Sequence, residues 1–224
     1  ASLFNFPLEI AAGIILIGSS PSGLASNVMA YLAKANIALS VTLTAVATLV
    51  APIMTPFLMK TLAGSFVPID FIAMMTSIFK IVIVPVLLGL VFNYFFHGKA
   101  KWLDKAMPII SMAGIGFIIM IITAAGRDDL LSIGLLLILA AIIHNLLGYV
   151  FGYWGCRIFG MSEQDCRTIA FEVGMQNGGL ATGIALEMGK ISTVGLAPAI
   201  FGPWMNISGS SLATWWRDKE PKKK

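Results

Sequence analysis

Charge is scarce in this sequence: Asp, Glu, Lys and Arg make up 12% of its 224 residues, about half the share of a soluble globular domain. Together with 58% hydrophobic residues and a mean hydropathy of +0.88, that scarcity excludes an ordinary soluble domain and points to a polytopic protein of the lipid bilayer. Cysteine numbers two. Cys156 and Cys166 flank the polar stretch Arg157 to Asp165 at a spacing that fits no metal or redox motif, so both are expected as free thiols. Histidine also numbers two. His97 falls in a basic loop and reads as solvated; His144 falls in an apolar segment and reads first as a packed core histidine, second as a proton relay. There is no paired acid, metal-ligand spacing or nucleophile motif. A membrane-embedded enzyme with Glu172 and His144 as acid and base is therefore disfavoured, and the expectation is that the chain is not an enzyme. The opening Ala-Ser-Leu-Phe-Asn-Phe has no initiator Met, basic n-region or cleavage site, so no signal peptide is expected there. The net charge of +4 forms no nucleic-acid patch, because five of the fifteen basic residues fall between Arg217 and Lys224 and read as a topology signal.

What the chain has in abundance is apolar runs. A spanning helix needs about 20 mostly apolar residues, and breaks in hydropathy give seven candidates: 7–33, 37–59, 76–96, 107–126, 130–154, 168–189 and 196–216. Asp70 to Met75 is expected as a short interfacial lead-in, Lys80 as a snorkelling side chain and Pro85 as a kink. Trp102, Trp154, Trp215 and Trp216 stand near segment ends as interfacial anchors. Alternating the segments across the bilayer puts Lys34, Lys99, Lys101, Lys105, Arg157, Arg167 and the five tail cations on one face, against Lys60, Lys80, Arg127 and Lys190 on the other. The richer face is expected to be cytoplasmic, with the C-terminus there. Seven spans then start the chain outside, so an odd number of helices is expected to precede Ala1.

Two of the segments are interrupted. Phe171 to Leu180 reads Phe-Glu-Val-Gly-Met-Gln-Asn-Gly-Gly-Leu, an acid, two carboxamides and three glycines inside apolar sequence. An ionisable group near the bilayer centre costs roughly 2.5 to 3.5 kcal/mol, so Glu172 needs a partner or a role there. The glycines ease unwinding, and unwound backbone is tolerated at membrane depth only where it is buried in protein or lines a cavity. The first segment is cut by Ser19-Ser20-Pro21-Ser22-Gly23. Gly23-Leu24-Ala25-Ser26 is echoed by Gly179-Leu180-Ala181-Thr182, with Lys34 and Lys190 at the same offset. Two broken helices of opposite direction are the signature of inverted-repeat transporters, which bind ions and substrate where the breaks cross. Ser26 and Asn27 after the first break, with Ser40 and Thr44 four residues apart on one helical face, offer oxygens to complete a cation shell around Glu172. Taken singly, these hydroxyls read as ordinary backbone or interhelical donors, as do Gln176, Asn177 and Asn206.

At these residues the chain resembles the bile acid:sodium symporter family. The resemblance rests on Gly23-Leu24-Ala25-Ser26-Asn27-Val28-Met29 with Tyr31-Leu32-Ala33, on Ala38-Leu39-Ser40-Val41, on Glu172-Val173-Gly174-Met175-Gln176-Asn177, and on Asn206-Ile207-Ser208-Gly209-Ser210. It implies an all-α membrane protein, seven transmembrane helices of a ten-helix inverted-repeat fold with two crossed discontinuous helices, the first three helices being absent. The domains implied are core helices in 1–66, panel helices in 67–128, and core helices with the second broken helix and basic tail in 129–224. It further implies sodium-coupled symport of organic anions such as bile acids by alternating access, in a bacterial inner membrane. Ser26, Asn27, Ser40, Thr44 and Glu172 would form one Na⁺ site; Glu172, Val173, Met175 and Gln176 would form most of a second, whose remaining glutamine has no counterpart here. Asn177 and Asn206 would line the substrate cavity. Met205 stands where bacterial relatives often carry His, and a product limited to these 224 residues is expected to be inactive. A proton-coupled transporter of a small carboxylate and a non-transporting receptor remain as alternatives.

Overall fold

A computed structural model of the chain describes residues 5–96 and 101–219. His97, Lys99, Lys222, Lys223, Lys224 and the first four residues lie outside the described residues. Every apolar candidate segment is helical. In chain order the elements are α1 (Leu8–Gly18), α2 (Leu24–Leu32), α3 (Ile37–Ala63), α4 (Phe71–Ile78), α5 (Val84–Phe96), α6 (Lys101–Ala125), α7 (Arg127–Ile158), α8 (Glu163–Gly174), α9 (Gly178–Glu187) and α10 (Leu196–Arg217). Among the described residues, three stretches are long and apolar enough by themselves to cross a membrane: Ile37–Ala63, Phe71–Phe92 and Arg127–Ile158. Leu88, Leu90, Met112, Phe117 and Leu135 point outward, as side chains facing acyl chains do.

Capping explains several boundaries. Asn36, Asp70, Ser162 and Asn177 each accept a backbone N–H from the first turn of α3, α4, α8 and α9, at 2.9–3.1 Å. Asp70, expected at the start of a short lead-in, is thus the N-cap of α4. α4 runs into α5 through a π-turn at Phe79–Ile83, where Val84 N–H reaches back to the Phe79 carbonyl. Pro85, where a kink was expected, supplies no N–H for the carbonyl four residues back, and the helix passes it through this π-turn. α2 and α9 both end in paired C-terminal bonds around a residue of positive φ. Ala35 N–H meets Ala30 O around Lys34 (φ 54°), and Lys190 N–H meets Ala185 O around Gly189 (φ 66°).

The two interrupted segments break as expected, α1 into α2 and α8 into α9. α7 lies close along α8 because Gly148 and Gly152, four apart, let the backbones meet. A Cβ on Gly148 would come 2.8 Å from Gly174 Cα, and one on Gly152 would come 2.7 Å from Ile169 O. Gly148→Ala is therefore expected to destabilise the protein by about 1–3 kcal/mol, read as a lower midpoint in detergent unfolding. Gly155→Ala, where a Cβ meets nothing within 4 Å, serves as the neutral control.

One end of the bundle is tied by Arg167, 2% exposed. Its guanidinium donates to the carbonyls of Ala33 (3.1 Å), Trp216 (3.0 Å) and Lys219 (3.2 Å), and its Nε donates to Glu163 at 3.1 Å. It thereby collects the orphan carbonyls at the C-termini of α2 and α10 onto the first turns of α8. Beside it, Asn36 Nδ2 donates to Asp165 at 2.8 Å, and Asn36 N–H donates to the Thr168 hydroxyl at 2.9 Å. The Ser162 hydroxyl and the Asn36 amide hold the Asp165 carboxyl below its usual range. At α1's start, Lys190 and the Thr193 hydroxyl both reach Glu9, the latter at 2.6 Å.

Candidate functional site

The two breaks cross and hydrogen-bond to each other. Gly23 N–H donates to Met175 O at 2.9 Å and Asn177 N–H donates to Pro21 O at 2.7 Å, an antiparallel bridge of Ser22 with Gln176. Gly23 keeps this approach close, since a Cβ there would lie a tight 3.1 Å from Gln176 O. Backbone groups freed from the helices must find partners at this depth, and each break finds them in neighbouring side chains as well as in the other break. Ser19 O accepts from Thr55 on α3 at 2.8 Å, Leu16 O from Ser20 at 2.8 Å, and Gly174 O from Asn145 on α7 at 2.7 Å. The sequence echo sits out of register with this crossing. Gly23 is the N-cap of α2, whereas its echo Gly179 lies inside α9, whose N-cap is Asn177.

Over the crossing sits Glu172, half-buried on α8. Its Oε1 accepts from Ser26 Oγ (2.6 Å) and Ser40 Oγ (2.7 Å), and its Oε2 accepts from Thr44 Oγ1 (2.8 Å). Asn27 Oδ1 lies 2.7 Å from Ser40 Oγ and 3.2 Å from Thr44 Oγ1. All five residues expected for the first ion site are thus brought together, from α2, α3 and α8. Ser26, Ser40 and Thr44 are buried, the last two on one face of α3 as their spacing requires. Each of these three hydroxyls has one hydrogen and two acceptor oxygens within reach, Ser26 dividing its own between Glu172 and Gly23 O (2.8 Å). The cluster is therefore richer in lone pairs than in protons, and no cationic side chain enters it among the described residues. A hard cation with oxygen ligands fits that donor set.

The residues expected for a second site line the same turn. Met175 O is bonded by Gly23 N–H, and Val173 O accepts from Gln176 Nε2 at 2.7 Å. Gln176 Oε1 is buried without a hydrogen-bond partner. Of the two expected substrate contacts, Asn177 belongs to the crossing and spends its side-chain oxygen on the Leu180 N–H. Asn206 is exposed on α10; its neighbour Met205 is buried and receives the Gln176 N–H on its sulfur at 3.3 Å. His144 stacks edge-on against Phe201, centroids 5.2 Å apart, and makes none of the contacts around Glu172.

Sequence reasoning passed over the polar chain behind the second break. Asn145, fully buried, accepts from Ser208 Oγ at 2.6 Å while its amide holds Gly174 O, and Tyr149 OH lies 3.1 Å from Ser208 Oγ. Asn145 stood next to His144 and Ser208 two residues after Asn206, so the signal was there in both polar insertions. Asn145→Leu leaves the Gly174 carbonyl and the Ser208 hydroxyl without this partner. An unfolding midpoint lower by about 1–3 kcal/mol equivalent is expected, with sodium affinity reduced as the turn loosens.

Residues 1–133 match the Sodium Bile acid symporter family. The chain is 41% identical over 220 residues to the uncharacterized sodium-dependent transporter YocS of Bacillus subtilis, covering 98% of this chain and 68% of that protein. It is 35% identical over 222 residues to the probable chloroplastic sodium/metabolite cotransporter BASS1 of Arabidopsis thaliana, covering 99% and 55%. To the corresponding BASS2 of Oryza sativa it is 32% identical over 227 residues, covering 98% and 52%. These relatives are named as transporters and cotransporters, none as an enzyme. The chain spans about half the length of these plant relatives. It belongs to the sodium bile acid symporter family.

Proposed function

We propose that this protein is a sodium-coupled secondary transporter of organic anions, working by alternating access. The observation that carries the reading is the Glu172 carboxylate ringed by Ser26, Ser40, Thr44 and Asn27 at the crossing of two broken helices. Na⁺ there would cancel the charge of Glu172 and hold α2, α3 and α8 together. That ties the shape of the crossing to ion occupancy, the coupling that symport needs. A second Na⁺ at the turn would use Glu172, the Val173 and Met175 carbonyls and Gln176, whose Oε1 lacks a partner. Asn177, at the N-terminus of α9, and Asn206 are placed to meet the anion, the helix end adding its partial positive charge. Bile acids are one candidate substrate. The relatives named as metabolite cotransporters, and Met205 locked onto Gln176, broaden the class to other amphipathic or small carboxylates.

The moving bodies would be a panel in 67–128 and a core in 1–66 and 129–224, in a bacterial inner membrane with the C-terminus cytoplasmic. The Ser77 hydroxyl, 3.3 Å from Glu187, is one contact across that boundary. Because a proton on Glu172 would also supply the missing hydrogen, a proton-coupled carboxylate transporter is the second reading.

Two Na⁺ with one monoanion carry one net charge inward, worth about 2.3 kcal/mol per 100 mV. Uptake into proteoliposomes of the full-length protein is expected to need Na⁺ and to rise as the interior is made negative by a potassium–valinomycin gradient. Flux indifferent to voltage counts against that stoichiometry, and flux indifferent to Na⁺ counts against symport.

A further inference from the structure

At the end of the bundle tied by Arg167, the termini of α7, α8 and α10 border an open cavity of about 260 Å³ lined by Tyr153, Trp215 and Trp216. Its charges are unevenly committed. Arg167 is spent on backbone carbonyls and on Glu163, and Glu163 also accepts from Tyr153 OH at 2.8 Å. Arg157, about one-third exposed, pairs with Glu163 only at 3.9 Å, beyond hydrogen-bond reach, and lines the cavity with a planar fork of donors that makes no hydrogen bond among the described residues. Lys219 Nζ stands 3.5 Å over the Trp215 ring. Three cationic side chains against the carboxylate of Glu163 leave two positive charges in a small aromatic-walled space.

Such a space favours an anion with several acceptor oxygens, and its surroundings favour one attached to lipid. Trp154, Ile158 and Phe159, on either side of Arg157, are exposed apolar side chains, as is half-exposed Trp215. Large aromatic residues at helix ends sit at headgroup level, and basic pockets between membrane helices take anionic headgroups there. We propose that this cavity binds the phosphodiester headgroup of an anionic phospholipid, Arg157 engaging the phosphate through two donors and Lys219 supplying the second cation. Trp154, Ile158 and Phe159 would meet the glycerol and upper acyl chain. A bound lipid would brace the junction at which Arg167 gathers α2, α8 and α10.

The test is native mass spectrometry of the purified full-length protein in mixed micelles, with phosphatidylglycerol or phosphatidylcholine of matched acyl chains, alongside a thermal-unfolding series. Phosphatidylglycerol should be retained at least about tenfold more than phosphatidylcholine and should raise the unfolding midpoint. Arg157→Gln with Lys219→Gln should remove that preference. Lys34→Gln with Arg217→Gln, an equal loss of charge at the same end, should keep it. Equal loss in both double variants overturns the site in favour of diffuse surface attraction. A full midpoint shift from inorganic phosphate alone overturns the lipid assignment, and equal retention of the two lipids overturns the proposal outright.

Discussion

Glu172→Gln is expected to abolish the sodium dependence of anion binding while leaving the protein folded. Glutamine keeps the volume and one acceptor oxygen, so the Ser26 and Ser40 hydroxyls retain a partner. What it removes is the only formal negative charge among these five residues; what it adds is an NH₂ group aimed at the side of Thr44. A cation site that loses its carboxylate loses about 3 kcal/mol, roughly a hundredfold in Na⁺ affinity. Anion binding titrated with and without Na⁺ reads this directly. The unfolding midpoint without Na⁺ serves as the fold control and should fall little. Sodium dependence surviving in Glu172→Gln would mean that the ion sits elsewhere. Ser40→Ala should act in the same direction and less strongly, because Thr44 and Asn27 remain.

Arg167→Met is expected to be the most destabilising substitution in the chain. The guanidinium is buried, and its donors serve three carbonyls from the ends of two helices as well as Glu163. Removing it leaves Glu163 at 11% exposure with Tyr153 OH as its close partner, strands the carbonyl of Ala33, and leaves that of Trp216 with the Lys219 N–H alone. Breaking a buried pair in this way costs about 3–5 kcal/mol, on the order of 10 °C in unfolding midpoint for a chain of this size. Arg167→Lys should recover only part of the loss, because an ammonium cannot spread planar donors over all these acceptors. Full recovery by lysine would show that charge alone matters at this position. The basic residues near this end first read as a sign of membrane sidedness; for Arg167 that reading misses its structural part.

How much of this was legible in sequence follows from how local each signal is. The breaks were legible because Pro21 and the Gly174, Gly178 and Gly179 set act on their own backbone. Ser40 and Thr44 were legible because helical period alone places them on one face. Their meeting with Glu172, over a hundred residues away, followed from treating all unexplained polar groups in apolar segments as one set and from the family resemblance. Arg167, Asn145, Ser208 and Thr55 were not legible as a group. Each serves a backbone carbonyl or a side chain on another element, and nothing within a few residues of it announces that partner. Cys156 and Cys166 are free and buried, as their spacing indicated. At Asp70 and Pro85 the local detail was not legible, for a related reason. An N-cap and a π-turn solve locally what hydropathy and a proline rule mark only as a disturbance.

The most direct test of the account is anion binding to the purified full-length protein, measured across a Na⁺ series at constant ionic strength with choline as the replacement cation, at pH 7.5 and again near pH 5.5. The account predicts saturable dependence on Na⁺ at both pH values. Binding that ignores Na⁺ and strengthens on acidification would contradict it, and would make the proton the partner of Glu172.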